Sequence, residues 1–332
     1  MSIELASKPH TIENLESFRR ELQLYCYRLT GSLHDAEDVT QDAILKAWQA
    51  LGSFRRDSSL KTWLYKIATN LCLDLLKKRN RRTSPELRRP AFDPAAAFPE
   101  ALPEITWIEP FPDSWLAEAN PEHRLIRREQ VSLAFTTVLQ LLPPRQRAIL
   151  ILRDVLEWSA EESAALLELS VAAINSALHR ARVALQKHQH AYNTDLAPGS
   201  LDDEHSSLLQ RYIKTWEDRD IQGMVALLRE DAILTMPPMP GWYQGIADVV
   251  ALLQRFPFNP ELNRRWKHLP TRVNGIPAWA MYRKLPEESA FIAYGIHYCE
   301  FDAATLKVTR ISAFKDASLL GMLGFPESLP AN

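Results

Sequence analysis

Eight prolines between residues 83 and 121 constrain this chain more than any other feature. Proline lacks a backbone N–H and has a fixed φ, so it interrupts both helices and sheets. We therefore predict a linker over 83–121, with separately folded modules on either side. Within it, residues 106–116 (TWIEPFPDSWL) hold two Trp, a Phe and an Ile. Such side chains are costly to expose, so we expect this segment to dock on this protein or on a partner.

The chain before the linker has the pattern of an all-helical module, predicted over 10–82. Apolar residues recur at three- and four-residue steps from Leu15 to Leu29, and a second helix is expected from about His34 to Ala50. Residues 52–60 read as a polar loop, and a third helix follows with Trp63 on its apolar stripe. Residues 54–89 hold 11 Lys/Arg against 3 Asp/Glu, although the whole chain has a net charge of −2. This local excess favours an anionic partner.

The stretch DAEDVTQDAILKAW…FRRDSSLKTWLYKIATN within residues 14–82 resembles region 2 of extracytoplasmic-function (ECF) sigma factors. The resemblance implies that the acidic helix docks on core RNA polymerase and that the following loop and helix melt and read the −10 promoter element. The implied polymerase-binding residues are Asp35, Glu37, Asp38, Gln41 and Asp42. The implied −10 residues are Phe54, Arg55, Arg56, Lys61, Thr62, Trp63, Tyr65 and Lys66. Cations suit phosphates and rings suit unstacked bases, with Tyr65 and Lys66 expected near the polar face and Trp63 equally compatible with the core.

The acidic helix is expected to be amphipathic. Its acidic residues Asp35, Glu37, Asp38 and Asp42 should share an exposed face, with Val39, Ala43, Ala47 and Trp48 on a more apolar one.

A second helical module is predicted over 122–188. Pro143-Pro144 separates a helix at about 122–141 from shorter ones at about 145–153, 159–168 and 170–187. Ser159 with Glu162 has the pattern of a capping box, and Ser170 is a second predicted N-cap. The last two helices would form a helix-turn-helix, with Leu167, Val171, Ile174 and Leu178 in its core. This module resembles region 4 of the same sigma family, which implies −35 binding by Ala172, Ala173, Asn175, Ser176, His179 and Arg180.

Residues 203–332 change to a helix-then-strand order, which predicts an α+β domain. Helices are expected at 204–228 and 245–255, and strands near 264–274, 277–284, 290–300 and 306–315. The order resembles the SnoaL-like cone fold, which implies an internal pocket. The candidate lining residues are Trp216, Met236, Trp242, Trp279, Tyr282 and His297, although each is also compatible with an ordinary core position. Asp231 is expected to be a cap or a surface residue, and no convincing catalytic set stands out.

The predicted fold class is therefore multidomain: two all-α modules, the second a helix-turn-helix, followed by an α+β SnoaL-like cone domain. Three widely spaced cysteines favour neither a disulfide framework nor a zinc site, and no cofactor is expected. The N-terminus has no secretory pattern and no apolar run approaches about 18 residues, so we expect a cytoplasmic protein that does not enter the membrane.

The resemblance implies a sigma factor rather than an enzyme, with core RNA polymerase and double-stranded and locally melted promoter DNA as partners. The C-terminal domain is expected to modulate the activity of the sigma factor, and it is a candidate to bind a small ligand. One alternative is a DNA-binding regulator fused to a ligand-sensing or enzymatic cone domain. Another is a plain helix-turn-helix repressor, which leaves the acidic helix unexplained.

Overall fold

The computed structural model describes residues 12–54, 58–79, 82, 89–100, 107–115, 132–189, 203–302 and 304–331. Their contacts divide the chain into two compact units. The first is built from Met1–Arg81, Trp115–Glu122 and Thr136–Ala191, and the second from Arg82–Ser114, His123–Phe135 and Tyr192–Asn332. Each unit is described by itself.

The first unit begins with four helices: α1 (Ile12–Glu16), α2 (Arg19–Thr30), α3 (Leu33–Ala50) and α4 (Leu60–Lys78). Gly31 ends α2 in the left-handed conformation at φ 71°, which glycine adopts without strain. The Ser32 hydroxyl then accepts a hydrogen bond from the Asp35 amide at 3.0 Å and starts α3. The predicted loop before α4 contains a short 3-10 turn at Leu51–Ser53, and Ser59 caps α4.

Four more helices complete this unit: α5 (Leu133–Leu141), α6 (Pro144–Leu150), α7 (Ala160–Leu167) and α8 (Val171–Gln189). A π-helical turn, Ile151–Val155, continues α6. The predicted capping box is confirmed, since Ser159 and Glu162 bond each other's backbone amides at 3.0 and 2.7 Å. The Ser170 hydroxyl accepts from the Ala173 amide at 3.2 Å, as an N-cap should. Of the four expected core residues, Ile174 and Leu178 are buried and Leu167 is half-buried, but Val171 is 36% exposed.

The second unit is an α+β domain, and the predicted fold class is confirmed. Its helices are α9 (Asp203–Asp218), α10 (Ile221–Leu227), α11 (Ile246–Arg255) and α12 (Ala317–Met322). Its strands are β1 (Leu228–Thr235), β2 (Trp242–Gln244), β3 (Arg265–Val273), β4 (Ile276–Lys284), β5 (Ala290–Asp302), β6 (Lys307–Phe314) and β7 (Ser328–Pro330). The sheet order is β2-β1-β6-β5-β4-β3, with β7 on β5. All pairs are antiparallel except β1 with β6, and β3–β6 confirm the four predicted strands.

The predicted single helix 204–228 is instead two helices, separated by a turn at Arg219 and Asp220. Arg219 adopts a left-handed φ of 57°, and the Asp220 carboxylate caps a new helix by accepting from the Gly223 amide at 2.9 Å. The chain then enters β1 at Leu228. Asp231 is therefore a strand residue rather than a cap. It lies at the surface, where its side chain pairs with that of Arg229, and this agrees with the alternative expectation that it is a surface residue.

The pairing of β5 with β4 is irregular at one position. The register shifts between Met281 and Tyr282, opposite Gly295. A Cβ at Gly295 would lie 1.7 Å from the Phe314 carbonyl oxygen, so only glycine permits this approach. The sheet and the helices α9–α11 enclose one apolar core, with Trp216, Leu252 and Ile311 among its buried members.

Candidate functional site

The acidic helix α3 exposes to solvent only some of the five residues predicted to bind polymerase. The members that are exposed are Asp38, Gln41 and Asp42. Glu37 is half-buried and pairs with Arg19 at 3.4 Å. Asp35 is buried, and its Oδ1 accepts a hydrogen bond from the Arg79 guanidinium at 2.6 Å. The expectation that Asp35 lies on the exposed face is therefore wrong, because the first turn of α3 faces the module.

An apolar pair continues this exposed face toward the end of α3. Leu45 is 46% exposed and Trp48 is 51% exposed. Sequence periodicity placed Trp48 with Val39, Ala43 and Ala47, but only those three are buried. Positions 39, 43 and 47 repeat every four residues, and residue 48 is rotated about 100° from residue 47. An exposed tryptophan beside carboxylates is a common feature of protein-binding surfaces.

The residues predicted to read melted DNA surround the start of α4. Phe54 and Trp63 are both half-buried, and their ring centroids lie 4.8 Å apart. Lys61 pairs with Glu21 at 2.6 Å, and Thr62 shares a hydrogen bond with the capping Ser59 at 2.8 Å. Arg55 and Arg56 lie outside the described residues. This arrangement places one aromatic pair and one cation at the solvent-accessible start of α4.

Tyr65 and Lys66 do not lie on a free polar face. Tyr65 is fully buried, because its ring packs 4.9 Å from that of Tyr25 and 5.2 Å from that of Trp158. Burial raises the pKa of its phenol well above the usual value. Lys66 is half-buried, and its ammonium lies 2.9 Å from the Glu168 carboxylate. Trp158 and Glu168 both belong to the helix-turn-helix module, so the expectation for Tyr65 is wrong for a tertiary reason.

Helix α8 displays most of its predicted DNA-reading residues. The exposed members are Ala172, Asn175, Ser176, His179 and Arg180, and Ala173 is half-buried. The Arg180 guanidinium donates to the Ser176 hydroxyl at 2.7 Å, which orders both side chains on one face. Val171, at the first turn, adds an exposed apolar surface that the sequence reading assigned to the core. Short polar and apolar side chains at the start of such a helix can approach base edges in the major groove.

Three of the six pocket candidates meet inside the α+β domain. The ring centroids of Trp216 and His297 are 4.5 Å apart, and those of Trp279 and His297 are 6.2 Å apart. His297 Nε2 shares a 2.6 Å hydrogen bond with the Tyr212 hydroxyl. Burial lowers the pKa of His297 well below its usual value, and the neighbouring His268 lowers it further. His297 is therefore a neutral, hydrogen-bonded interior group.

The other three candidates are distributed around the domain. Met236 belongs to the same apolar core. The Tyr282 hydroxyl donates to the Pro326 carbonyl at 2.9 Å. Trp242 Nε1 donates to the Arg89 carbonyl of the linker at 2.9 Å. The candidates therefore do not line a single pocket.

A groove of about 610 Å³ lies between α9 and the β3–β4 hairpin. Its wall on the helix includes Leu209 and Glu217, and its wall on the hairpin includes Arg272 and Trp279. Of the predicted set, Trp279 lines this groove. Glu217 accepts a hydrogen bond from the His268 amide at 3.1 Å, and contact with His268 lowers the pKa of this carboxyl. Among the described side chains, no three His, Cys, Asp or Glu residues are close enough to hold a metal ion.

The aromatic segment of the linker docks on the turn between β3 and β4, which is one of the two alternatives that the sequence left open. The Phe111 amide donates to Asn274 Oδ1 at 2.7 Å, and the Asn274 amide donates back to the Phe111 carbonyl at 2.9 Å. The Gly275 amide donates to Asp113 Oδ1 at 2.8 Å, and Arg272 Nε lies 3.4 Å from Asp113 Oδ2. Phe111 is fully buried. We call residues 107–113 with these contacts the linker anchor.

The turn itself explains why it can hold the linker. Asn274 and Gly275 have φ values of 50° and 81°, the two left-handed positions of a tight hairpin. Their amides point away from the hairpin and bond the linker. Arg82 and Glu109 form a buried ion pair at 3.1 Å inside the same unit.

An earlier part of the linker packs on the same domain. The rings of Phe98 and Phe256 are 4.6 Å apart, and the Lys315 ammonium lies 4.7 Å from the Phe98 centroid. Arg255 donates to the Pro94 and Ala96 carbonyls at 2.7 and 2.6 Å. Burial and the positive charge of Arg264 lower the pKa of Lys315 to about 8. Residues 89–98 therefore join the second unit by rings, charge and main-chain hydrogen bonds.

These features define a multidomain regulator with two helical binding modules and a fused α+β domain. Comparison with known proteins makes the class more specific. Sigma-70 region 2 matches residues 15–82, and Sigma-70 region 4 matches residues 132–185. The chain is 43% identical to the ECF RNA polymerase sigma factor SigG of Mycobacterium tuberculosis, over 95% of this chain and 83% of that protein. It is 34% identical to the ECF RNA polymerase sigma-E factor of Escherichia coli, over 46% of this chain and 72% of that one.

The crystal structure of M. tuberculosis extracytoplasmic function sigma factor SigJ has the same fold, with a TM-score of 0.53 and 22% identity over 96% of this chain and all of that one. The chain belongs to the extracytoplasmic-function family of RNA polymerase sigma factors. It is a transcription initiation factor whose partners are core RNA polymerase and promoter DNA. Within the described ranges, no helix is long and apolar enough to cross a membrane.

Proposed function

We propose that the exposed face of α3 is the surface that binds core polymerase. The proposal is supported by the three exposed polar residues Asp38, Gln41 and Asp42 and by the apolar pair that extends them, Leu45 and Trp48. Buried aromatic anchors surrounded by polar groups contribute most of the binding energy at interfaces. Asp35 and Glu37 act indirectly, by holding α3 against Arg79 and Arg19.

Replacing Trp48 with alanine tests this surface. The exposed side chain contributes little to folding, so we expect unchanged thermal stability and core-polymerase binding that is weaker by at least about tenfold. Gln49→Ala, at the neighbouring exposed position, is the matched control. Equal binding by both variants would exclude Trp48 from the interface.

We propose that the start of α4 binds the melted −10 strand and that α8 reads the −35 element. Phe54 and Trp63 offer a ring pair on which an unstacked base can stack, and Lys61, Arg55 and Arg56 supply positive charge. On α8, Asn175 suits an adenine edge and Arg180 suits a guanine edge or a phosphate. The corresponding functional segments are 10–82 and 122–188, joined by the linker 83–121.

We propose that the C-terminal domain, residues 203–332, regulates initiation by holding the linker rather than by catalysis. The observation that carries this proposal is the linker anchor, in which both amides of the β3–β4 turn are bonded to residues 111–113. The linker has to connect the two DNA-binding modules along the promoter, so a domain that holds it influences how they engage. The cytoplasm, where polymerase works, is the proposed location.

Run-off transcription with core polymerase tests the regulatory role. Asp113→Ala removes the carboxylate that bonds Gly275 and Arg272. We expect promoter-dependent output to change by several-fold, in the same direction as for a chain that ends at residue 200. Glu287→Ala, at an exposed loop position, is the control for charge. Output that is the same in all three proteins and in the full-length chain would contradict a regulatory role.

A small ligand of the α9–hairpin groove is the second candidate function of this domain. The specific observation that favours it is that Arg272 both lines the groove and contacts Asp113 of the linker anchor. A ligand that engaged Arg272 would therefore weaken one contact of the anchor. Native mass spectrometry of the purified protein, with Trp279→Ala as the groove variant, tests for a bound compound of this kind.

A further inference from the structure

Three cationic side chains meet at one end of the sheet in the second unit. They are Arg264, just before β3, Arg283, at the end of β4, and Lys315, just after β6. Arg283 is opposite Trp266 in the register of β3 and β4, and cross-strand partners share a face of the sheet. Because Trp266 belongs to the apolar core, Arg283 points to the inner face. The ring of Tyr294, in β5, is 5.3 Å from that of Trp266 and 5.2 Å from the Arg283 guanidinium carbon.

Mutual charge effects place Arg264 and Lys315 in the same group. Burial, and then the positive charge of Arg264, lower the pKa of Lys315 to about 8. Burial raises the pKa of Tyr294, whereas the positive charges of Arg283 and Arg264 lower it. The four side chains therefore act on one another, and we call Arg264, Arg283, Lys315 and Tyr294 the basic cluster.

The positive charge of the basic cluster is poorly balanced. Within the described ranges its ion pair is the one between Arg283 and Glu288, at 3.5 Å, and the other oxygen of Glu288 accepts from the Leu285 amide at 2.6 Å. Arg264 donates to the Phe256 carbonyl at 3.4 Å. The Nε atoms of Arg264 and Arg283 are buried and have no hydrogen-bond partner among the described atoms. Buried charged donors are costly to leave unpaired, so this cluster favours an anion.

A linker residue covers the basic cluster. The Phe98 ring lies 4.7 Å from the Lys315 ammonium and 4.6 Å from the ring of Phe256. Both phenylalanines are half-buried against the apolar core. Attraction between opposite charges is stronger where water is scarce, so an anion held under Phe98 would be bound more tightly than one at an open surface.

We propose that the basic cluster binds a small oxyanion, a phosphate or carboxylate group, beneath the linker, and that the bound anion strengthens the hold of the C-terminal domain on residues 89–98. Two guanidinium groups offer paired donors that match the oxygens of such a group, and an ammonium and a phenol add single donors. The anion neutralises the repulsion between Arg264 and Lys315, directly below Phe98. This site is separate from the α9–hairpin groove, and it relies on the proposed regulatory role only for an effect on transcription.

Isothermal titration calorimetry of the full-length protein with inorganic phosphate tests the site. Sodium chloride keeps the ionic strength constant, and succinate in a second series separates a carboxylate ligand from a phosphate. Arg264→Gln and Lys315→Met should each weaken binding at least about tenfold, because each removes a charged hydrogen-bond donor. Arg265→Gln is the matched control, since this neighbouring side chain is exposed and its guanidinium lies over the Phe291 ring at 5.4 Å. The control keeps the DNA-binding modules unchanged, so it also accounts for phosphate bound there.

Hydrogen exchange measures the effect on the linker. The Phe92 amide donates to the Trp242 carbonyl at 2.8 Å, so its exchange reports how firmly this part of the linker is held. Saturating phosphate should slow that exchange several-fold in wild type and in Arg265→Gln, but not in Arg264→Gln. Phosphate should raise the Tm of the same two proteins. Lys315→Met should keep its Tm without phosphate, because it removes a repelling charge, and should lose the rise with phosphate.

Each outcome bears on the proposal alone. Equal phosphate affinity in Arg264→Gln, Lys315→Met and Arg265→Gln would place the anion elsewhere and overturn the site. Absence of binding by both phosphate and succinate at millimolar concentrations would also overturn it. Binding that leaves the exchange of the Phe92 amide unchanged would overturn the coupling to the linker. The run-off assay with Asp113→Ala contains no variant of this cluster, so the proposed regulatory role is tested separately.

Discussion

Replacing Phe111 with alanine should release the linker from the C-terminal domain without unfolding that domain. The side chain is fully buried, and removal of a buried phenylalanine costs about 3–5 kcal/mol. The linker segment lies outside the sheet strands, so the cost falls mainly on its docking to the Asn274–Gly275 turn. At about 3 kcal/mol, the ratio of docked to undocked linker falls roughly 150-fold.

Hydrogen exchange measures this effect at single amides. The amides of Phe111, Asn274 and Gly275 all donate across the linker anchor, so we expect each to exchange roughly 100-fold faster in Phe111→Ala. Phe291→Ala is the control, because Phe291 is 4% exposed in β5 and packs under Arg265 rather than the linker. It should speed exchange through the sheet instead. If the three amides keep their protection in Phe111→Ala, the anchor does not depend on this side chain and the reasoning is refuted.

Three further predictions concern stability. The pKa of Lys315 is about 8 in the folded protein and about 10.4 in the unfolded chain. Between pH values of about 8 and about 10.4 the unfolded chain binds more protons than the folded protein, so the free energy of unfolding rises with pH in this range. The unfolding free energy of wild type relative to Lys315→Met should therefore increase by about 2 kcal/mol from about pH 7.5 to about pH 9.5 in urea titrations; no change would place the folded pKa elsewhere. Ser159→Ala removes one half of the capping box and should cost about 1 kcal/mol by chemical denaturation, whereas Ser58→Ala should cost little. Gly295→Ala puts a methyl group 1.7 Å from a carbonyl oxygen and should cost about 3 kcal/mol or more, seen as a lower Tm; a neutral result would mean that β5 can shift.

Local chemistry explains what the sequence could predict. Ser159 with Glu162 and Ser170 with Ala173 form their caps within four residues, so the pattern contains all the partners. The four strands β3–β6 are long and bounded by turns, and each was predicted within a few residues. The docking of the aromatic linker segment was also predicted, because so much apolar surface could not remain exposed in a polar stretch.

The structural features that the sequence did not predict depend on residues that are far apart in the chain. Strand β1 was not expected, since it starts directly at the end of a helix and pairs in parallel with β6, about 80 residues later. Tyr65 was placed on a polar face because the residue that buries it, Trp158, belongs to another module. The exposure of Trp48 on α3 was missed for the opposite reason, as no neighbouring element covers that side of the helix in the described chain. Helical periodicity predicts faces, but only tertiary packing decides which faces are covered.

The length of the linker indicates how its anchor could influence initiation. From the end of α4 at Lys78 to the start of α5 at Leu133, the chain could extend about 180 Å, more than twice the roughly 80 Å between promoter elements. With Arg82 to Asp113 held on the C-terminal domain, the chain between this stretch and the flanking helices could span at most about 13 Å on one side and about 66 Å on the other. Tether length alone therefore does not keep the two modules from reaching both promoter elements. The anchor instead keeps the C-terminal domain beside the linker. The effect of the anchor on initiation should therefore come from the space that this domain occupies and the contacts that it makes along the path of the linker. Asp113→Ala, which weakens the anchor, should remove both effects together.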